Sequence, residues 1–240
     1  MLSRAPLRAL LVAFACGLGL TACTPANVRL PAGLPGDSLA YDVSGHSPRR
    51  WQQPLRFGPY STVGMREGMD FSWALPLFGG QFARASKPYR YTMVTLGEAP
   101  VDVECRTRAT LLLKRGVSID ITETMEPRMA CGVRRDGEEP LVFELADKGS
   151  RYDGAIFPAR GGRPLFSVRS LHRFAGSSLA SMEPLGYEIL RGGEVAAVVE
   201  TLNAGRVFMN PDTSPRERVM LAAMSTALLM FNPEQSSVFD

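Results

Sequence analysis

The chain has 240 residues, of which 45% are hydrophobic and 21% charged, an ordinary composition for a folded globular protein. Of its 27 basic residues, Arg4 and Arg8 lie in the first 23 positions, so 25 basic residues remain against 24 acidic residues in the rest. This balance excludes the strongly basic surface typical of nucleic-acid binding, and we expect no nucleic-acid partner.

The chain begins with the layout of an export signal. Two arginines precede an apolar run at residues 9–20, which is too short to remain as a membrane span. The sequence Leu20-Thr21-Ala22-Cys23 resembles the lipobox of bacterial lipoproteins. That resemblance implies that residues 1–22 are removed as a signal peptide, that the Cys23 thiol is alkylated with diacylglycerol, and that the new amino group receives an acyl chain such as palmitate. An ordinary cleaved signal that happens to end beside a cysteine is the alternative.

Such an anchor predicts a location in the bacterial cell envelope, because several acyl chains on one residue hold a protein stably on a membrane. By resemblance to enterobacterial lipoproteins, a residue other than Asp after the lipidated cysteine, here Thr24, favours the outer membrane. Residues 23–48 are rich in proline and glycine and predict a flexible tether, in which about 25 residues reach roughly 25–30 Å.

The rest of the chain, residues 49–240, predicts a single β domain. Apolar and polar residues alternate there with a period close to two, and turn residues recur at short intervals. The alternation is clearest at residues 101–107, 117–122, 129–133, 141–145, 187–191 and 194–200. Asp136-Gly137 and Gly192-Gly193 separate pairs of these segments and predict hairpin turns with positive φ. About a dozen antiparallel strands would leave exposed edges in an open sheet, so we predict a barrel or a strongly curved sheet.

The exception to this pattern is a helix predicted over residues 215–231. Ser214 is expected as its N-cap, Pro215 as its first residue, and Glu217 as the partner of Ser214 in a capping box. From Val219 onwards the segment is apolar on every face, which requires the surrounding protein to bury it. It is also too short to span a membrane, so we predict that it forms the core of the barrel rather than an anchor.

The cysteines predict one disulfide bond. Four cysteines are present, but Cys16 leaves with the signal and Cys23 carries lipid, which leaves Cys105 and Cys131. In an exported protein two such cysteines are expected to pair. A reactive thiol pair is the alternative, although the Cys-x-x-Cys spacing that would favour it is missing from this sequence.

The sequence offers little for catalysis. It has two histidines, His46 in the predicted tether and His172; His172 is the better candidate for a catalytic base, and Ser170, Ser177 and Ser178 lie near it in sequence. A Gly-x-Ser-x-Gly elbow is missing, and the histidines and cysteines do not cluster as zinc ligands do. We therefore predict a protein that is not an enzyme and that uses neither a metal nor a cofactor.

Four arginines are the candidate contacts to phosphate groups of phospholipid. They are Arg134, Arg135, Arg160 and Arg163. A guanidinium group binds phosphate with two parallel hydrogen bonds, which makes paired arginines suited to this role. Solvated positions on sheet edges and turns are the alternative, because acidic residues are equally numerous.

The C-terminal part resembles tubby-like proteins, particularly the LURP-one-related and scramblase-like branch. The resemblance lies in the order of a hairpin around Gly192-Gly193, a short strand at residues 205–208, and an apolar helix after Asp212. It implies a barrel of about twelve strands threaded by the C-terminal helix. Tubby domains bind phosphoinositides through lysine and arginine side chains, but none of those positions matches this chain, so the resemblance implies a fold and not a ligand.

Three classes of function are compatible with these features. The first is a lipid-anchored binding or scaffolding module of the envelope, whose partners would be envelope proteins or phospholipid. The second is a lipid-carrying barrel, which requires an empty apolar cavity. The third is a hydrolase that uses His172. We favour the first, because a barrel filled by its own helix has little room for an acyl chain.

Overall fold

A computed structural model describes residues 25–45, 53–68, 71–77, 80–114, 117–120, 128–149 and 151–231. The predicted signal peptide, Cys23 and His46 lie outside these residues. The described residues form fourteen strands and one helix. Their bounds are β1 (Leu39–Asp42), β2 (Arg56–Phe57), β3 (Tyr60–Glu67), β4 (Phe71–Leu77), β5 (Gly80–Val94), β6 (Val101–Lys114), β7 (Val117–Asp120), β8 (Met129–Arg135), β9 (Leu141–Asp147), β10 (Tyr152–Pro158), β11 (Phe166–Leu171), β12 (Gly186–Arg191), β13 (Glu194–Glu200), β14 (Arg206–Met209) and α1 (Pro215–Met230).

Twelve of these strands form a nearly closed antiparallel barrel. Their order around it is β1-β14-β13-β12-β11-β10-β9-β8-β6-β5-β3-β2. The two edges meet where Ser44, just after β1, and Arg56 in β2 exchange backbone hydrogen bonds of 2.8 and 2.9 Å. The predicted fold, about twelve antiparallel strands around a C-terminal helix, is therefore confirmed.

The helix α1 forms the core of the barrel. All residues from Val219 to Leu229 are buried, because the helix is apolar on every face and the strands surround it. The predicted capping box is present: Glu217 N donates to Ser214 Oγ at 3.2 Å, and Ser214 N donates to a Glu217 carboxylate oxygen at 3.1 Å. The helix ends one residue earlier than predicted, and Phe231 is its C-cap.

The disulfide between Cys105 and Cys131 is confirmed. The two residues lie directly opposite each other on β6 and β8, with their Cα atoms 4.0 Å apart. Both face the barrel interior, as their alternation with charged residues predicts. The bond spans 26 residues of chain, and closing a loop of that length stabilises a protein by about 3–4 kcal/mol.

One of the two predicted hairpin turns has the expected form. Gly192 and Gly193 connect β12 to β13 and both have positive φ, 60° and 94°. Asp136 and Gly137 lie in a longer connection, residues 136–140, in which only Gly137 has positive φ, at 75°. The hairpin between β8 and β9 is real, but its turn is not the predicted two-residue type.

The prediction of a flexible tether over residues 23–48 is wrong for much of that range. Residues 39–42 form strand β1 beside β14, and Val28 and Val43 are almost inaccessible to solvent. Between them, Leu34 packs on an apolar cluster formed by Leu190, Val195, Val198 and Phe208. The scattered apolar residues of this segment therefore cover the outside of β12–β14, and proline and glycine shape its turns instead of keeping it mobile.

The two ends of the barrel differ. The end at which α1 begins is called here the helix-entry end; it carries the connections at residues 95–100, 136–140, 159–165 and 192–193. The opposite end is called the helix-exit end, and it carries the connections at residues 172–185 and 201–205 together with residues 25–29.

Strands β5 and β6 continue beyond the barrel at the helix-exit end. Barrel strands β3 and β8 pair with them only at residues 89–94 and 101–107. Beyond these positions β4 pairs with residues 80–86 of β5, and β7 pairs with residues 111–114 of β6. These four segments form a projecting sheet, called here the β-extension.

Candidate functional site

The interior of the barrel is filled by α1. Inward-facing side chains such as Tyr187, Phe143 and Met93 are 0–1% exposed, and they pack against a helix that is itself buried. Because Tyr187 is shielded from water, burial raises the pKa of its hydroxyl well above the ordinary value. Chemistry in the described part of the chain is therefore to be sought on the outer wall and at the two ends.

The outer wall carries a groove of about 330 Å³, called here the outer-wall groove. It crosses β5, β6, β8 and β9 and continues to the start of the β10–β11 connection at Ala159. The groove exists because its floor is built from small residues, chiefly Ala130 and Gly132 of β8. A Cβ atom added to Gly132 would have no other atom within 4 Å, so the floor lies open to solvent.

Arginines dominate the charge of this groove. Arg106, Arg108 and Arg134 line it, and Glu104 is the one acidic residue among the lining side chains. In the described part of the chain, the exposed side chains of Arg106 and Arg134 form no ion pair. The sheet register places Arg106 opposite Ala130, and Arg134 two positions from Gly132 along β8. The two free guanidinium groups therefore flank the small-residue floor from opposite ends.

The predicted pair of Arg134 and Arg135 is divided by the strand. Arg134 faces outward into the groove, while the side chain of Arg135 faces inward and is 5% exposed. Arg135 forms ion pairs with Glu98 at 2.6 Å and Glu138 at 3.3 Å at the helix-entry end. The guanidinium of Arg135 therefore joins two loops of the barrel, and its contact with a phosphate group stays a prediction.

Arg160 and Arg163 lie together in the β10–β11 connection at the helix-entry end. Both are exposed, and neither lines the outer-wall groove. The structure thus separates the four predicted arginines into three places. Arg106 and Gly132, which complete the groove, are absent from the sequence-based prediction, because only the pairing of β6 with β8 brings them together.

His172 and Ser170 are in direct contact. Ser170 Oγ lies 2.7 Å from His172 Nε2, and His172 Nδ1 lies 3.1 Å from the carbonyl oxygen of Ser181. A carbonyl oxygen can only accept, so Nδ1 donates to it, and in the neutral imidazole Nε2 then accepts from the Ser170 hydroxyl. The same hydroxyl oxygen accepts a hydrogen bond of 2.8 Å from the backbone N–H of Tyr152. The pair therefore also ties the connection after β11 to the start of β10.

One carboxylate near the groove, that of Asp102, has a structural partner. Asp102 lies on the outer face of β6 and accepts a hydrogen bond of 2.6 Å from Thr92 Oγ1 on the neighbouring strand. Among the residues that the structure describes, no group of three or more His, Cys, Asp or Glu side chains is arranged to hold a metal ion.

Comparisons with known proteins do not extend these observations. No family model matches the chain, and no match was found among curated proteins or solved structures. Within the described ranges, no helix combines the length and the apolar character needed to cross a bilayer.

Proposed function

We propose that the protein is a lipoprotein anchored through Cys23 in the outer membrane of a bacterial envelope, where it acts as a non-catalytic binding module for a phosphate-bearing ligand. The observation that carries this proposal is the outer-wall groove, in which two arginines that form no ion pair with any described residue flank a floor of glycine and alanine. Free guanidinium groups beside an open floor suit the binding of phosphate, since each can donate two parallel hydrogen bonds.

The filled interior supports a binding module over a lipid carrier. A carrier of acyl chains needs an apolar cavity of several hundred Å³ inside the barrel. Here the buried residues of α1 occupy the interior, and Tyr89 and Tyr91 of β5 bind its backbone. A ligand is therefore expected on the outside, where the groove combines concave shape with net positive charge.

Binding is tested by nuclear magnetic resonance, with the backbone amide of Gly132 as the reporter. Inorganic phosphate and glycerol 3-phosphate are titrated separately. Glycerol 3-phosphate carries both the phosphate and the glycerol of a phospholipid headgroup, whereas inorganic phosphate lacks the glycerol. Glycerol is the neutral control. We expect shifts at Gly132 with both phosphates and none with glycerol; identical responses to all three would contradict the proposal.

Two variants and a matched control make the test specific to the groove. The double change Arg106→Gln and Arg134→Gln should weaken phosphate binding at least tenfold, because a hydrogen bond to a charged group contributes about 1.5–3 kcal/mol. Gly132→Val should weaken phosphate binding, because the valine side chain occupies the floor of the groove. The change should cause no strain, since a Cβ atom added at this strand position has no other atom within 4 Å. Arg163→Gln, an exposed arginine outside the groove, should leave binding unchanged.

Anchoring is tested separately from binding. Cells that express the full chain are fed labelled palmitate, and the mature protein is analysed by mass spectrometry. We expect a chain that begins at Cys23, carries the label and sediments with the outer membrane. The Cys23→Ser chain should be unlabelled. A mature protein that starts at another residue, or that carries no acyl chain, would refute the anchor.

A hydrolase is the second candidate function, and the contact between Ser170 and His172 favours it. The imidazole is oriented by the Ser181 carbonyl and can accept the Ser170 proton, as nucleophilic catalysis requires. The test is hydrolysis of a p-nitrophenyl ester by the purified chain. Loss of activity in both Ser170→Ala and His172→Ala, with unchanged circular dichroism, would establish this function, and an activity that survives both changes would exclude the pair.

A further inference from the structure

The N-terminal segment is fastened to the helix-exit end of the barrel. The carbonyl oxygen of Ala26 accepts a hydrogen bond of 3.0 Å from Asn203 Nδ2. Val28 forms a β-bridge with Phe174, and its N–H donates to the buried carboxylate of Glu200 at 2.7 Å. The chain is therefore held against the barrel from residue 26 onwards.

This attachment shortens the distance between the anchor and the domain. Only Thr24 and Pro25 separate Cys23 from Ala26. Three residues of fully extended chain cover about 10 Å, far less than the tether expected from the composition of residues 23–48. A lipid on Cys23 must therefore hold the helix-exit end of the barrel against the membrane surface.

The surface around this attachment has apolar side chains exposed. In the β11–β12 connection, the side chain of Leu179 is 70% exposed and that of Met182 is 95% exposed. Leu30, at the end of the fastened segment, is 40% exposed. The two segments touch, because Arg29 donates to the carbonyl oxygen of Ser177. Their apolar residues therefore belong to one end of the molecule.

Basic side chains accompany these apolar residues. Arg29 and Arg173 are both exposed, and neither forms an ion pair with the residues that the structure describes. The hydrogen bond of 2.7 Å from Arg29 N to the Arg173 carbonyl oxygen holds the two residues side by side. Glu183 is the acidic residue of the same connection. Exposed apolar residues beside arginines are the combination that binds the interface of a phospholipid bilayer.

The β-extension projects from the same end, beside the opposite wall of the barrel. Its seven paired residues on β5 span about 23 Å at roughly 3.3 Å per residue. Backbone pairing places Leu75, Phe82, Leu112 and Ile119 in one row across its four strands.

We propose that the helix-exit end lies on the phospholipid surface, with Leu179 and Met182 in the interfacial layer and with Arg29 and Arg173 on the headgroup phosphates. This orientation rests on the proposed anchor at Cys23. In this orientation the axis of the barrel points away from the membrane, and the helix-entry end is the part of the domain farthest from the lipid.

Fluorescence quenching by brominated phospholipid tests the orientation. The lipidated full chain carrying Met182→Trp is reconstituted in vesicles of phosphatidylglycerol and brominated phosphatidylcholine. Leu96→Trp is the matched control, because Leu96 is 98% exposed and lies at the helix-entry end. The unchanged chain provides the baseline for its own two tryptophans. We expect loss of the added fluorescence at position 182 and none at position 96.

A further variant tests the role of the apolar loop. Leu179→Asp, added to the Met182→Trp chain, should reduce the quenching, since a carboxylate resists entry into the interfacial layer. Absent quenching at position 182, or equal quenching at positions 182 and 96, overturns the orientation.

Mass spectrometry of the same samples separates this failure from failure of the anchor. If Cys23 carries diacylglycerol and position 182 is not quenched, the anchor stands and the orientation is wrong. If Cys23 carries no lipid, the proposed anchor and the orientation that depends on it are both refuted.

Discussion

The hydroxyl of Tyr91 donates a hydrogen bond of 2.6 Å to the carbonyl oxygen of Ala223, inside the barrel and out of contact with water. Tyr89 makes the equivalent bond to Ala227 at 3.1 Å. Two residues of strand and four residues of helix cover similar lengths, about 6–7 Å, so β5 can bind successive turns of α1. These bonds fix the position of an apolar helix that has no polar face of its own to orient it.

Tyr91→Phe should therefore destabilise the protein. The change removes a buried donor and leaves the ring in place, so we expect a loss of about 1–1.5 kcal/mol in the free energy of unfolding. Tyr41→Phe is the control, because Tyr41 is only partly buried and packs at the edge of the core. Chemical denaturation measures both; equal stabilities of the two variants would show that the bond to the helix contributes nothing.

Stability should fall steeply at alkaline pH. Burial raises the pKa of the hydroxyls of Tyr89, Tyr91 and Tyr187 above the ordinary value of 10.0. These groups stay neutral in the folded protein but ionise in the unfolded chain, so their contribution is complete below about pH 10 and is lost as the pH rises above it. Each tyrosine adds a slope of up to about 1.4 kcal/mol per pH unit.

The alkaline prediction is checked by denaturation between pH 9 and pH 11, with tyrosinate absorbance recorded in parallel. Tyr91→Phe should have a shallower slope than the parent chain, since one ionising group is gone. A flat stability profile over this range, or full tyrosinate absorbance before unfolding, would mean that these hydroxyls reach water in the native state.

Thr226→Val should stabilise the protein. The Thr226 hydroxyl is buried in α1, and no hydrogen-bond partner for it exists in the described part of the chain. Valine has the same shape and a similar helix propensity, so the change removes an unpaired buried polar group for a gain of about 1 kcal/mol. The reverse swap on the same helix, Val219→Thr, should lower the midpoint of thermal unfolding. Destabilisation by Thr226→Val would instead reveal a partner for the hydroxyl.

Arg135→Ala should be far more damaging than Arg134→Ala. Arg135 bridges Glu98 and Glu138 with a side chain that is 5% exposed. Its loss removes the ion pair of Glu98 and one of the two ion pairs of Glu138, which keeps Arg216, and costs about 2 kcal/mol or more. Arg134 is exposed on the outer wall, and its removal should change stability by less than about 0.5 kcal/mol. Thermal unfolding of the two variants measures this difference. Similar losses of stability in Arg135→Ala and Arg134→Ala would argue against the inward position of Arg135.

The difference between these two arginines could have been predicted. Met129, Cys131 and Val133 share one apolar face of β8, and Arg135 continues that face two residues further along the strand. The interpretation of Arg134 and Arg135 as one cluster followed their adjacency in sequence, although adjacent residues of a strand face opposite sides of the sheet. The groove beside Arg134 was not predictable from the sequence. It depends on the pairing of β6 with β8, and these two strands are not consecutive in the chain, because β7 lies between them in sequence.

The sequence by itself determined the local elements: the alternation of the strands, the capped helix after Ser214, and the pairing of the two cysteines left to the domain. Their signals are local, since side-chain periodicity and capping depend on neighbours within a few residues. Only the tertiary structure decided that residues 39–42 form a strand of the barrel and that Arg106 lies opposite Ala130, one of the two small residues of the groove floor. It also decided that the segment around Val28 and the exposed connection with Met182 lie at one end of the barrel. These outcomes depend on strand order and register, which long-range hydrogen bonding and burial select and which no short stretch of sequence encodes.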